Sequence, residues 1–178
     1  MKLQDKYKKE IIAKLKEEFG YKNNLEVPKI DKVVLNSGFG RNAKDKVFVD
    51  NVVNSLERIS GQKPITLKAK RSISSFKVRQ GMIIGSKVTL RGKRMWNFLD
   101  KLVNLVFANI RDFRGIESAI VDRDGNITIG FRDHIAFPEI RNDEVDRLHG
   151  LEVCVSTTTK NSKEGLRLFE LLGFPFKK

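Results

Sequence analysis

The segment from Arg58 to Leu99 carries eleven basic side chains and not one Asp or Glu. Apolar residues recur through it at regular intervals, so the segment can fold and place its cations on a polar face. The whole chain has 35 Lys and Arg against 22 Asp and Glu, a net charge of +13, and this segment supplies most of the excess. Because cations that neutralise phosphates release condensed counterions, the segment predicts a folded surface that binds nucleic acid.

The spacing of apolar residues predicts four helices and six strands. The helices are expected over 4–19, 47–60, 93–110 and 163–172, and the strands over 29–36, 64–69, 85–91, 116–121, 127–131 and 151–158. Residues 70–84 lack a clear period and are predicted to be irregular, and 122–126 are predicted to turn a hairpin. Helices and hairpins mix along the chain, which indicates an α+β fold: a mainly antiparallel five- to six-stranded sheet with helices packed on one face.

No linker or repeat divides the sequence, so we expect a single domain over 1–178 with a protruding basic loop at about 71–84. No apolar run approaches the ~20 residues of a transmembrane helix, and the N-terminus has no signal-peptide pattern, so no membrane partner is expected. The single Cys154 fits a reducing cytoplasm and is expected to pack as a small apolar residue.

Catalytic and metal sites find little support in the residue pattern. His134 and His149 have no companion ligands at zinc spacing and are expected to lie at the surface or cap an element. No nucleophile–base order or paired carboxylates stand out, so we expect no catalytic residue, no metal, no cofactor and no small-molecule substrate. One alternative is a nucleotide-binding enzyme that uses the turn Gly38–Ala43, which matches G-x-G-x-x-A between a strand and a helix. The expected acidic ribose partner is missing, because Lys68 and Lys70 stand where it should be.

The net charge is negative between Arg111 and Glu152, since this segment contains six basic and ten acidic residues. This segment is a poor polyanion surface. It is either a solvated face or a surface for a basic protein partner.

Several motifs resemble the large-subunit ribosomal protein family numbered five, whose members bind 5S ribosomal RNA. They are KIDKVVLNSGFG at 29–40, GQKP at 61–64, KAKRSI at 68–73, FKVRQG at 76–81, GSKVTLRG at 85–92, FLD at 98–100, RDFRG at 111–115, FPEI at 137–140 and LLGFPF at 171–176. The motifs follow in order over nearly the whole chain, and its length and closing motif resemble the bacterial form.

The resemblance implies a non-catalytic structural protein of the ribosomal central protuberance, cytoplasmic and ribosome-bound. It implies four partners: 5S rRNA, the large-subunit rRNA against which 5S rRNA is seated, the peptidyl-site tRNA, and a basic protein of the small-subunit head.

The resemblance also suggests which residues meet each partner. For 5S rRNA we expect hydrogen bonds from Asn36, Gln62 and Thr89, close backbone approach at Gly38, and phosphate contacts from Lys63, Lys68, Lys87 and Arg91. The loop expected to contact tRNA contains Arg71, Ser75, Lys77, Arg79, Gln80, Gly81 and Met82. The bridge to the head protein is expected at Arg111, Asp112, Asp133, Glu144 and Asp146.

Overall fold

A computed structural model describes residues 2–140 and 148–177. Helix α1 spans residues 3–19 and contains a π-helical turn at Tyr7–Ile11. Helix α2 is Lys46–Ser60, α3 spans residues 92–109 with a π-helical turn at Leu102–Val106, and α4 is Ser162–Leu172. The strands are β1 Ile30–Gly38, β2 Ile65–Lys68, β3 Ile83–Leu90, β4 Ile127–Phe131 and β5 Leu151–Thr157.

The described strands form one five-stranded antiparallel sheet in the order β2-β3-β1-β5-β4. This confirms the predicted α+β fold. Strands β2 and β3 pair with Ile65 opposite Lys87, and the register shifts between Leu67 and Lys68. Side chains on β3 alternate: Val88 and Leu90 are buried, whereas Lys87 is exposed. This period of two gives the strand one apolar side and one polar side.

The chain divides into two compact units, and the prediction of a single domain stays a prediction. The first unit holds residues 2–33, 91–129 and 154–177. Its core includes Leu15 of α1, Leu99 of α3 and Leu168 of α4, each with no solvent exposure. The Tyr7 hydroxyl donates a hydrogen bond to the Pro28 carbonyl oxygen at 2.9 Å, and burial raises the pKa of Tyr7 to about 12.

The described part of the second unit holds residues 34–90, 130–140 and 148–153. Leu35 of β1, Leu56 of α2 and Val88 of β3 are buried in it. Helix α2 begins where the Asp45 carboxylate accepts hydrogen bonds from the backbone N–H groups of Val47 and Phe48. Such a cap satisfies donors that the first helical turn leaves without partners.

The predicted hairpin over 116–131 is present only next to its turn, where Val121 bridges antiparallel to Ile127, and the strand predicted over 116–121 does not form. Only the second half is a strand, β4. The segment before it forms a short 3₁₀ turn at Ser118–Ile120, and Ile116 bridges to Phe176 near the other end of the chain. The turn itself is present, because the Gly125 and Asn126 N–H groups donate to Asp122. The local apolar alternation predicted an adjacent strand, but residue 116 finds its partner sixty residues away.

The surface placement of the two histidines is also wrong. His134 is 1% exposed and His149 is 7% exposed. Their rings stack with centroids 3.8 Å apart, and the His149 backbone N–H donates to His134 Nδ1. A polar ring can be buried when another ring covers its face and a backbone group satisfies its nitrogen.

No helix within 2–140 and 148–177 combines the length and the apolar character that crossing a bilayer requires. The same residues contain no cluster of three or more His, Cys, Asp or Glu side chains placed to hold a metal ion. Cys154 is a free, half-buried thiol on β5.

Candidate nucleic-acid interface

The polar side of β1 and β3 in the second unit carries four of the residues predicted to meet RNA. We call Asn36, Gly38, Lys87 and Thr89 the strand face. Asn36 and Thr89 are half-buried, whereas Gly38 and Lys87 are exposed. Their strand neighbours point into the core, so the backbone under the strand face is held from behind. Short polar groups on a firm, shallow surface suit the wide minor groove of an RNA helix.

Two of the predicted hydrogen-bonding residues lie together. The Gln62 side-chain amide donates to the backbone oxygen of Thr89 at 3.3 Å. The Gln62 backbone N–H in turn donates to the Ser60 hydroxyl at the end of α2. Since the bond to Thr89 uses its backbone, the Thr89 hydroxyl is not consumed by it. Residues 27 positions apart in sequence therefore join in one polar cluster.

Asn36 has a partner that the sequence did not reveal. Its Nδ2 donates to Oε2 of Glu152 on β5, at 3.3 Å. This places a carboxylate beside the strand face. The alternation of Glu152 with Leu151 and Val153 marks it as outward-facing, but the pairing of β5 beside β1 cannot be read from local pattern.

Two glycines behave differently where β1 meets β3. A Cβ added at Gly38 would meet no atom within 4 Å, so the space over this residue is open. A Cβ added at Gly85 would lie 3.2 Å from the Ser37 carbonyl oxygen. A side chain at Gly85 would therefore require the Ser37 backbone to shift by a few tenths of an ångström, whereas Gly38 leaves its backbone accessible to an external partner.

The lysines predicted to hold phosphates are exposed. Lys63 precedes β2, Lys68 ends it, and Lys87 lies opposite Ile65 on β3. Within the residues that the structure describes, none of these three ammonium groups forms an ion pair. They can therefore neutralise phosphates without first breaking a contact inside the protein.

Arg91 belongs to the first unit and differs from these lysines. Its guanidinium forms an ion pair with Asp31, with Nη1 and Oδ1 2.8 Å apart. The side chains are 57% and 43% exposed, so the pair is solvated and contributes no more than about 1 kcal/mol. A phosphate at Arg91 would compete with Asp31, a residue that the sequence did not single out.

The segment predicted to be irregular is an ordered hairpin that continues from β2 and β3. The Ala69 N–H donates to the Met82 carbonyl, and Ile73 and Val78 exchange two backbone hydrogen bonds. The Ala69 carbonyl accepts from the Gly81 N–H, so the pairing is irregular between Lys68 and the Ile73–Val78 bridge. We call residues 69–82 the basic hairpin. Period-two alternation is weak here because both sides of the hairpin are exposed, so sequence pattern could not find it.

The structure places the predicted tRNA-contacting residues on this hairpin. Six of them are exposed and Met82 is half-buried; the six are Arg71, Ser75, Lys77, Arg79, Gln80 and Gly81. Lys77 adopts a left-handed backbone conformation with φ of 53°, in the tight turn at the tip. The Gln80 N–H donates to the Ser72 hydroxyl, which ties the two sides together below that turn.

The structure describes three of the five residues predicted to form the bridge to the head protein. Arg111 and Asp112 in the first unit and Asp133 in the second are all exposed. Asp112 has φ of 54°. Glu144 and Asp146 lie outside the described residues.

The glycine turn does not have the geometry of a dinucleotide site. A 3₁₀ turn follows at Gly40–Asn42, and helix α2 begins only at Lys46. The first N–H groups of that helix already bond the Asp45 carboxylate, so an anionic side chain occupies the place that a phosphate would need.

Comparison with known proteins decides the family. A family model described as "Ribosomal protein L5" matches residues 23–79, and a second model, described as the C-terminus of the same ribosomal protein family, matches residues 83–176. The chain belongs to the uL5 family of large-subunit ribosomal proteins. It is 46% identical to "Large ribosomal subunit protein uL5" of Natranaerobius thermophilus over 98% of both chains. The protein of the same name from Fervidobacterium nodosum is 50% identical, over 99% of this chain and 96% of its own.

Membership in the uL5 family makes this chain a structural constituent of the large ribosomal subunit in the bacterial cytoplasm. It is not an enzyme. The alternative of a nucleotide-dependent enzyme built on Gly38–Ala43 is therefore wrong, in agreement with the capped helix behind that turn.

Proposed function

We propose that this uL5 protein binds 5S rRNA through the strand face and helps to seat it against the large-subunit rRNA in the central protuberance. The observation that carries the proposal is the setting of Asn36 and Thr89. Both are short polar residues on strands with a buried reverse side, and the exposed cations Lys63, Lys68 and Lys87 belong to the same unit.

The two kinds of residue have different roles. The lysines neutralise phosphates, which supplies affinity and orients the RNA without reading its sequence. Asn36, Gln62 and Thr89 offer hydrogen bonds to 2′-hydroxyl groups and base edges. The open space over Gly38 lets the RNA come close to the backbone. Arg91 adds a phosphate contact once it releases Asp31.

Two further contacts complete the proposed function. The basic hairpin, whose side chains are almost all exposed, contacts the peptidyl-site tRNA. The exposed residues Arg111, Asp112 and Asp133 contribute to a bridge with a basic protein of the small-subunit head, because the segment around them is acidic overall.

A gel-shift titration tests the 5S rRNA contact. The full chain is titrated against 5S rRNA and against an unrelated structured RNA of equal length. A triple variant with Lys63, Lys68 and Lys87 changed to Ala is compared with a control that changes three exposed lysines of α1, Lys8, Lys9 and Lys14. Both variants lose the same net charge.

We expect preference for 5S rRNA in the wild-type chain, strong loss in the first variant and little loss in the control. Equal loss in the two variants would show that only net charge matters and would contradict the assignment of the strand face. Equal binding of the two RNAs by the wild-type chain would contradict 5S rRNA recognition itself.

A further inference from the structure

A groove of about 930 Å³ lies between the basic hairpin and the turn after β1. Its apolar lining includes Ile73, Phe76 and Val78. Phe76 is 73% exposed and Ile73 is 45% exposed, so the hairpin presents large apolar side chains to solvent. The volume falls within the range of about 300–1,000 Å³ that is typical of pockets for small organic groups.

The charge around the groove has one sign. Every ionisable side chain among its described lining residues is basic, including Arg41, Arg71 and Lys77. None of the three forms an ion pair within the described part of the chain. An occupant that matches this lining must combine a flat or apolar group with negative charge. A nucleotide has both, because its base has an apolar face and its phosphate is anionic.

We propose that this groove holds one unpaired base of tRNA, stacked on the Phe76 ring, with the flanking phosphates at Arg71 and Lys77. The proposal rests on the proposed contact between the basic hairpin and tRNA, and it adds how that contact is made. A base that is paired inside a helix cannot reach an aromatic ring in a groove, so the groove selects a loop nucleotide. The hairpin therefore recognises tRNA by an exposed base in addition to its backbone charge.

The hairpin geometry supports a stacking role. Lys77, directly after Phe76, has a left-handed backbone conformation at the tip. Below that turn the two arms of the hairpin are joined twice. Ile73 and Val78 exchange backbone hydrogen bonds, and the Gln80 N–H donates to the Ser72 hydroxyl. The ring is thus carried on an ordered support rather than on a loose chain. Preorganisation of this kind reduces the entropy lost on binding.

Chemical probing of tRNA in ribosomes tests the proposal. Ribosomes that carry wild-type protein, Phe76→Leu or Phe76→Trp are loaded with peptidyl-site tRNA, and the reactivity of every unpaired base is measured in tRNA and rRNA together. Leucine keeps the apolar volume but loses the ring, whereas tryptophan keeps a stacking surface. We expect one unpaired tRNA base to become about tenfold more reactive with Phe76→Leu and to stay protected with Phe76→Trp.

Leu25→Ala is the matched control, since Leu25 is an apolar residue of the first unit with 82% exposure. It should change no tRNA base. The proposal is overturned if Phe76→Leu changes no tRNA base, if the changed base lies in rRNA, or if Phe76→Trp behaves like Phe76→Leu. Two other occupants of the groove are tested with the isolated chain. The proposal is also overturned if Phe76→Leu abolishes self-association in sedimentation, because the groove would then hold a second copy of the chain. It is likewise overturned if Phe76→Leu abolishes binding of polyglutamate, because the groove would then hold an acidic peptide.

Failure of this proposal can be separated from failure of the proposed tRNA contact. A variant in which Asn-Gly replaces residues 74–77 removes the tip of the hairpin, Phe76 included, and keeps the hydrogen-bonded pair Ile73–Val78. If this variant changes no tRNA base, the contact between hairpin and tRNA is absent. If it exposes a base that Phe76→Leu leaves protected, the contact exists but stacking on Phe76 does not.

Discussion

The strand face and the basic hairpin belong to the same unit and carry the same sign of charge, yet they are supported differently. On the strand face, Thr89 alternates with buried residues of β3 and Asn36 is held by Glu152. On the hairpin both sides are exposed, and backbone hydrogen bonds between its two arms hold it in shape. A polar group backed by a core has already lost much of its freedom, whereas an exposed side chain loses it on binding.

This difference suggests a division of roles between the two regions. A surface fixed by the core suits a permanent RNA partner, because little entropy is lost when its groups are matched. An exposed hairpin with long side chains suits a partner that arrives and leaves. Variants of the two regions test whether their contributions to 5S rRNA binding can be separated in this way.

The largest effect should come from removing Lys87 of the strand face together with Lys63 and Lys68, the exposed lysines near the two ends of β2. Changing Lys63, Lys68 and Lys87 to Ala should weaken 5S rRNA binding about a hundredfold at moderate salt. The slope of log K against log salt should fall by about 2–3 units, since each phosphate contact contributes roughly 0.7–0.9. Affinities measured between low and moderate salt give both values.

The matched comparison removes three cations from the hairpin instead, at Arg71, Lys77 and Arg79. This variant should keep the wild-type salt slope for 5S rRNA. If the two triple variants lose the same slope, both regions belong to one RNA-binding surface and the division between them is wrong.

A smaller effect should follow from single polar changes on the strand face. Asn36→Ala and Thr89→Ala should each weaken 5S rRNA binding about tenfold, because each removes a hydrogen bond worth roughly 1–3 kcal/mol when its partner is left buried. Circular dichroism should show an unchanged fold. Wild-type affinity in both variants would mean that the strand face does not contact the RNA.

Glu152→Gln sharpens the same test. The Asn36 amide bonds the Glu152 carboxylate, so the change keeps an acceptor there while it removes a negative charge. If RNA lies over the strand face, this variant should bind 5S rRNA several-fold more tightly. Weaker binding would indicate that the carboxylate orients Asn36 for the RNA.

Much of the fold could be predicted because its helices and most strands follow local periods. Helix α2 was expected to begin at Val47 and begins at Lys46. Several features that the sequence analysis missed depend on partners that are not adjacent in the chain. Ile116 bridges to Phe176, His134 stacks on His149, and Arg91 pairs with Asp31. Local pattern contains no information on such pairs.

At the candidate site, too, the positions of single residues could be predicted but their contacts could not. The polar positions on β3 follow from alternation, and so does the outward position of Asn36. The contacts of Asn36 with Glu152 and of Gln62 with Thr89 depend on which elements are neighbours. The order of the basic hairpin was missed because its exposed arms carry no apolar period and are joined by backbone bonds and by the bond from the Gln80 N–H to the Ser72 hydroxyl.

A few-fold effect is expected at Gly38. Gly38→Ala should fold normally, because no atom lies within 4 Å of the added Cβ, and should weaken 5S rRNA binding about three- to fivefold if the RNA approaches the backbone there. Gly85→Ala is the contrasting variant. Its Cβ would lie 3.2 Å from the Ser37 oxygen, so it should lower the melting temperature. Unchanged RNA affinity in Gly38→Ala would show that the open space is not used.

The smallest effect on 5S rRNA should come from shortening the basic hairpin. Ile73 and Val78 form a hydrogen-bonded pair, so Asn-Gly in place of 74–77 should close a two-residue turn on that pair without disturbing β2 or β3. Gel shift should give 5S rRNA affinity within about twofold of wild type, because the strand face is intact. Ribosomes with this variant should translate more slowly, as they lack the proposed contact with tRNA. Loss of 5S rRNA binding would place the hairpin in the RNA anchor, and the two regions would then act as one.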